Sequence, residues 1–241
     1  MNITEIDISN NNIKNCPTDV IYKAFNDFIF STDIKLLGKL LHRYHYFNLV
    51  KDLPGDIVEV GVFKGSGVAT FSKFIEIYCP NSNKKVIGFD IFDTDDANNV
   101  LTTKDNILDK TTMQVVYSKL EDNNELKLEN VINRINDMSI SKNYMLVKGD
   151  VEESLPKFIK ENPGFRISLL YIDVDIERPT YNTLKYLWDR ILPGGVILLD
   201  EYEYHKFSES TGVDKFLKEF NIPYNLKSTN FIAPTAYIIK S

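Results

Sequence analysis

Two pairs of acids end two apolar runs in the C-terminal half of this chain. One run reads Leu170-Tyr171-Ile172-Asp173-Val174-Asp175 and the other Leu198-Leu199-Asp200-Glu201. If the runs are neighbouring strands, four carboxylates meet at one sheet edge. Such a group repels itself, and its pKa values rise unless a cation is present. An oxygen-only set suits Mg²⁺, which takes a few carboxylates and keeps positions for water and substrate. No His or Cys lies in the cluster, which argues against zinc. Alternation along a strand predicts Asp173 and Asp175 on one face. Asp200 and Glu201 then face opposite ways unless the backbone has already turned. The plainer alternative is that these acids cap helices or start turns, Asp175 above all.

A second constellation stands earlier. Glu59-Val-Gly61-Val-Phe-Lys-Gly65-Ser66-Gly67 closes a short apolar strand and opens a helical stretch. A dinucleotide site has G-x-G-x-x-G and a phosphate loop ends in GK[ST]; this loop has G-x-x-x-G-x-G with Lys64 before the second glycine. An acid ahead of the first glycine suits a cationic ligand. S-adenosylmethionine, with its sulfonium and ammonium groups, is the cofactor expected at Glu59, Gly61, Gly65 and Ser66. Asp90 ends the next strand, where an acid commonly accepts from a ribose diol. Gly149-Asp150, after the third strand, is placed to flank the adenine, and Asp173 is assigned to the cofactor as well as to the cation. The alternative is that the glycines only punctuate strand–helix turns and that Asp90 caps a loop.

The elements that must position these residues follow from periodicity. Residues 1–17 are Asn-rich and read as a loose arm. Helical spacing runs from Thr18 to about Leu53, through stripes such as Ile21, Phe25, Phe28 and Ile29. Pro54-Gly55 ends it. Short strands are predicted at 56–62, 85–90, 144–147, 167–174 and 195–199, with helices at 68–78 and 180–192. Nearly all-apolar strands alternating with helices imply a parallel sheet covered on both faces. A helix at 212–220 and strands at 224–229 and 235–240 follow, so the last strand should run antiparallel. The polar stretch 93–142, with one helix near 126–138, reads as a lid insertion. The organisation expected is 1–53 as arm and helices and 54–241 as the ligand-binding domain.

With 28 Lys+Arg against 34 Asp+Glu, the 241-residue chain carries a net charge of −6 and has no basic stripe, so nucleic acid is not an expected partner. Two cysteines, Cys16 and Cys79, support no disulfide framework. The N-terminal residues lack the pattern of a secretory leader, and no apolar run approaches membrane-spanning length. A cytoplasmic location is the expectation.

The blocks EVGVFKGSG (59–67), GFDIF (88–92), KGDVEESLP (148–156), IDVDIERPTYNTL (172–184) and ILPGGVILLDEY (191–202) occur in an order that resembles the macrocin O-methyltransferase family. The helix TGVDKFLKEF (211–220) fits it too. The resemblance covers about Pro54 to the end. It implies a Rossmann-like class I methyltransferase fold, a mostly parallel seven-stranded sheet with its last strand antiparallel. It also implies S-adenosylmethionine and Mg²⁺ as cofactors and a sugar-containing small molecule as acceptor. Carried over, Asp173, Asp200 and Glu201 hold the metal and Asp175 is the general base. Two departures stand out. Glu201 replaces the usual second Asp of the pair, and Glu177-Arg178 replaces an aromatic–acid pair near the acceptor. The Lys that catechol-type enzymes place shortly after D-x-D is missing, which favours a sugar over a phenol.

Other readings stay open: a phosphoryl- or nucleotide-linked glycan precursor as acceptor, or a non-catalytic binder of the cofactor. His42 and His45 share a helix face but have no third ligand in view. Arg43, Tyr44, Tyr46 and Phe47 form either a lid or a seam. The N-terminal aromatics favour a homo-oligomer, Trp188 reads as core, and the acidic run 93–96 as a solvated loop.

Overall fold

Among the described residues, six strands run one way and one runs against them. The computed structural model describes residues 18–138 and 143–241. The Asn-rich arm with Cys16, and 139–142 of the insertion, lie outside the described residues. Two helices come first, α1 (Thr18–Ile29) and α2 (Ile34–Val50). The Asp33 carboxylate starts α2 by accepting from the backbone N–H groups of Lys35 and Leu36. Then follow β1 (Asp56–Val60), α3 (Ser66–Tyr78), β2 (Val86–Asp90), α4 (Thr94–Lys104), α5 (Ile107–Tyr117), α6 (Leu128–Asp137), β3 (Tyr144–Lys148) and α7 (Val151–Glu161). The chain ends with β4 (Ile167–Ile172), α8 (Glu177–Leu187), β5 (Ile191–Leu199), α9 (Glu209–Glu219), β6 (Leu226–Ser228) and β7 (Ala236–Ile239).

The sheet order is β3-β2-β1-β4-β5-β7-β6, with β7 antiparallel to both neighbours. The order reverses between β1 and β4, so a crevice opens at the carboxyl edge there. Strand alternation splits the core in two. Leu170, Ile172, Ile197 and Leu199 pack under α7, α8 and α9 with Leu155, Leu184 and Phe216. Leu169, Tyr171, Val196 and Leu198 face the other way, against Tyr46, Phe47 and Val50 of α2 and Phe71 of α3. The seam reading therefore holds for Tyr46 and Phe47.

Several elements differ from the sequence reading. The insertion carries α4 and α5 as well as α6, because Ala97, Leu101 and Met113 supply a buried face to an otherwise polar stretch. The acidic run 93–96 is a helix start: the Asp93 carboxylate accepts from the N–H groups of Asp95 and Asp96. The helix expected over 180–192 begins at Glu177 and stops at Leu187, and Ile191 already belongs to β5. Helix α7, capped by Asp150, had no counterpart in the sequence reading. Tyr22, Phe25, Phe30, Ile34, Leu36 and Leu41 of the N-terminal segment are exposed. Among the described residues, no helix is long and apolar enough to cross a membrane.

Candidate active site

A cavity of about 790 Å³ opens at the carboxyl edge of β1, β2, β4 and β5, within the range of small-molecule sites. Glu59, Gly61, Ser66, Asp90, Asp150, Asp173, Asp175, Asp200 and Glu201 all line it. So do Lys39 and Arg43 of α2, and Leu101, Met113 and Tyr117 of the insertion.

The glycine loop turns without room for side chains. Gly61 has φ +94°, and a Cβ there would stand 1.8 Å from the Asp173 carbonyl oxygen. A Cβ on Gly67 would stand 1.6 Å from Glu59 Oε1, so Gly67 is what lets the Glu59 carboxyl tuck beneath the first turn of α3. Burial pushes Glu59 up to about 7, although Arg43 and the Val68 N–H pull the other way. Arg43 Nη2 stands 3.6 Å from Glu59 Oε1, and Oε2 has no hydrogen-bond partner. A buried carboxyl oxygen without a partner, on the wall of a cavity, fits a cationic ligand group. Gly65 does not line the cavity. It starts α3 at φ +91° and packs beneath Val131 of α6.

Asp90 accepts from the N–H groups of Phe63 (2.9 Å) and Phe92 (3.0 Å), tying the glycine loop to the loop after β2. Asp150 is less free than a ligand-flanking role supposes. It receives Lys104 Nζ at 2.9 Å and Arg178 Nη1 at 3.0 Å. Burial opposes its ionisation, but these two cations hold it below the ordinary carboxylate range. Arg178 also grips both oxygens of Asp105, at 2.8 and 3.2 Å. The residue that departs from the family pattern thus clamps the insertion to the start of α7.

The four acids come together, but not by simple alternation. Tyr171, Asp173 and Asp200 fall on the α2 side of the sheet, and the Tyr171 hydroxyl donates to Asp200 Oδ1. Strand β4 stops at Ile172, and Asp175 has φ +65°, so the expectation that strand pleating sets the shared side of Asp173 and Asp175 is corrected. Glu201 lies past the end of β5, where the buried Glu209 carboxylate accepts from its N–H at 3.0 Å. Burial, with Asp173 beside it, raises Asp200 to about 6, and burial, with Asp200 and Asp173 nearby, raises Glu201 to about 7. Asp175 is raised well above the usual range, first by burial and then by Asp173, Glu201 and Asp200.

Lys35, Lys39 and Arg43 of α2 face these acids, and Lys39 touches two of them. Its Nζ stands 3.2 Å from Asp173 Oδ2 and 3.1 Å from Asp200 Oδ2. Lys39 and Arg43, one turn apart on α2, lie over the Tyr171 ring at 5.9 and 5.5 Å. Among the described residues, no group of three or more His, Cys, Asp or Glu is arranged to hold a metal ion. The donor chemistry fits a hard divalent cation, while Lys39 bridges two of the donors. No local motif marks Lys39, Tyr171 or Glu209 as part of this cluster. His42 stacks on Phe231 at 4.4 Å and is not part of this cluster.

This fold is that of the class I Rossmann-like methyltransferases. Residues 41–234 match the model of the macrocin O-methyltransferases (TylF), and the chain belongs to that family; it is an O-methyltransferase. CalS11, a calicheamicin methyltransferase, is similar with 22% identity and TM-score 0.69 over 94% of this chain and 88% of that one. CalS11 is also described as a TDP-rhamnose 3'-O-methyltransferase. The O-methyltransferase NovP gives 19% identity and TM-score 0.66 over 84% of this chain and 79% of its own. An O-methyltransferase from Bacillus cereus in complex with SAH gives 12% identity and TM-score 0.53, covering 92% and 89%. No curated protein sequence matches this chain significantly.

Proposed function

We propose that this enzyme transfers the methyl group of S-adenosylmethionine to a hydroxyl of a sugar-containing small molecule, with Mg²⁺ as cofactor. The observation that carries this reading is one cavity holding both constellations: the tucked Glu59 carboxyl with its partnerless oxygen, and the acids of β4 and β5. Gly61 and Ser66 border the cofactor, and Gly65 sets the turn between them. Glu59 serves its ammonium end. Asp90 stands at the ribose, Asp150 beyond it, and Asp173 serves both ligands.

Asp173, Asp200 and Glu201 are the residues that would hold the divalent cation. When bound, it would supply the positive charge that lowers the pKa of the acceptor hydroxyl. Asp175 takes the acceptor proton. The hydroxyl oxygen gains the methyl carbon, the sulfonium becomes a neutral thioether, and the proton ends on the Asp175 carboxylate. Tyr171 fixes one oxygen of Asp200, and Glu209 fixes the backbone at Glu201.

The test begins with calorimetric titration of S-adenosylhomocysteine. One-to-one binding weakened in Gly61→Ala supports the cofactor; no heat and no thermal stabilisation at saturating ligand overturns it. Methyl transfer is then assayed on deoxysugar glycosides, nucleotide-linked sugars and catechols, with and without EDTA. Sugar methylation abolished by EDTA and restored by Mg²⁺ is the expected result. Catechol turnover alone, or turnover indifferent to EDTA, would reject the acceptor class or the metal respectively.

A further inference from the structure

We propose that Lys39 is a tethered competitor for the divalent cation: its ammonium joins Asp173 to Asp200 when no cation is bound and must leave when one binds. The inference rests on the Mg²⁺ reading above and adds a residue of α2 to it. Lys39 contacts Oδ2 of each acid, at 3.2 and 3.1 Å. Asp200 Oδ1 is already taken by the buried Tyr171 hydroxyl, so the oxygen Lys39 occupies is the one Asp200 has to offer a cation. An ammonium and a divalent ion cannot share that position, because their repulsion at a few ångströms in a recessed site is large.

The helix itself is seated by other contacts. Gly38 lets the Phe231 ring lie directly on α2: a Cβ there would come within 2.0 Å of the ring. His42 stacks on the same ring, and Tyr46, Phe47 and Val50 are buried in the core. Arg43 is engaged separately, with Glu59. The exchange therefore falls on the Lys39 side chain, four methylenes ending in a charge, and not on the backbone that carries it. Linkage makes the exchange reciprocal: whatever the ammonium contributes to holding the acids is subtracted from cation affinity.

The test uses the full chain freed of metal and saturated with S-adenosylhomocysteine. Free Mn²⁺ is followed by electron paramagnetic resonance during titration of the wild type, Lys39→Met and Lys39→Arg. Lys39→Met should bind Mn²⁺ roughly tenfold more tightly than the wild type, a typical size for a coupling of this kind, while Lys39→Arg stays weak. If Lys39→Met does not fold, Lys39→Gln replaces it. Independently, Lys39 in the wild type should react faster with an amine-labelling reagent once Mg²⁺ saturates the protein, read by peptide mass spectrometry. Equal Mn²⁺ affinities, or labelling of Lys39 unchanged by Mg²⁺, overturn the role of Lys39 and leave the cation site standing. Absence of Mn²⁺ binding to all three proteins overturns the cation site, and this inference with it.

Discussion

A buried lysine and a half-buried one stand at opposite ends of the same sheet, and their surroundings differ in kind. At the amino edge, Lys84 Nζ donates to the carbonyls of Leu53 (2.9 Å) and Gly55 (2.6 Å) and to Ser168 Oγ (2.8 Å). That cage is neutral. Burial lowers the lysine's pKa, partly offset by the nearby Asp56. At the carboxyl edge, Lys39 meets two carboxylates. Burial disfavours its charge there too, yet Asp173 and Asp200 more than compensate and raise its pKa. A neutral cage built from turn carbonyls ties chain segments together and offers nothing to a ligand. A charged cage is held by forces that any other cation can replace. On the proposed exchange, the two ends divide the work, stability at one and exchangeable chemistry at the other.

Three substitutions test that division, and the first has the largest expected effect. Asp175→Asn should lower turnover by about 10²- to 10⁴-fold, the usual worth of a general base, while S-adenosylhomocysteine affinity stays near wild type. Equal losses in turnover and in cofactor binding would remove Asp175 from the proton transfer. Lys84→Met should cost about 2–4 kcal/mol of folding stability, since the shared donor to two part-buried carbonyls and the buried Ser168 hydroxyl is lost, and should leave ligand binding intact. A variant that melts with the wild type would erase the contrast between the two ends.

The smallest effect is a pH dependence at Glu59. Its folded value of about 7 lies above the ordinary 4.5, so the folded state holds the proton more tightly. The stability this contributes is present below the unfolded value and lost as pH rises through about 7. On the proposed role of Glu59, binding of the cofactor's ammonium group requires the ionised carboxylate and runs the other way, strengthening over the same interval. Melting temperature of the ligand-free protein and S-adenosylhomocysteine affinity should therefore slope oppositely between about pH 4.5 and 7, and Glu59→Gln should flatten both. Parallel slopes would show that Glu59 does not face the cofactor.

Much of this architecture is legible in local sequence. The apolar run before each acid pair marks strands buried on both faces, and β4 and β5 are indeed adjacent. The glycine spacing marks the first turn, and the two short runs after 224 mark the terminal strands with β7 reversed. The insertion was less legible because its helices bury only a few side chains each, so polar composition outweighed periodicity over 94–117. Strand pleating does not place Asp175, since nothing local announces that the chain leaves extended geometry after Ile172.

By itself the sequence determined the order of the strands, the glycine turn and the presence of two acid pairs at strand ends, because each depends on residues within one turn or one strand of each other. The tertiary structure alone decided which charges meet. Lys35 and Lys39 are alike in the stretch IKLLGK, yet only Lys39 bridges residues 134 and 161 positions away. Arg178 likewise reaches an aspartate 73 positions earlier. Whether a charge lies in water or opposite a buried carboxylate is set by how helices seat on the sheet, and that seating is fixed by packing over the whole core, not by any neighbour in the chain.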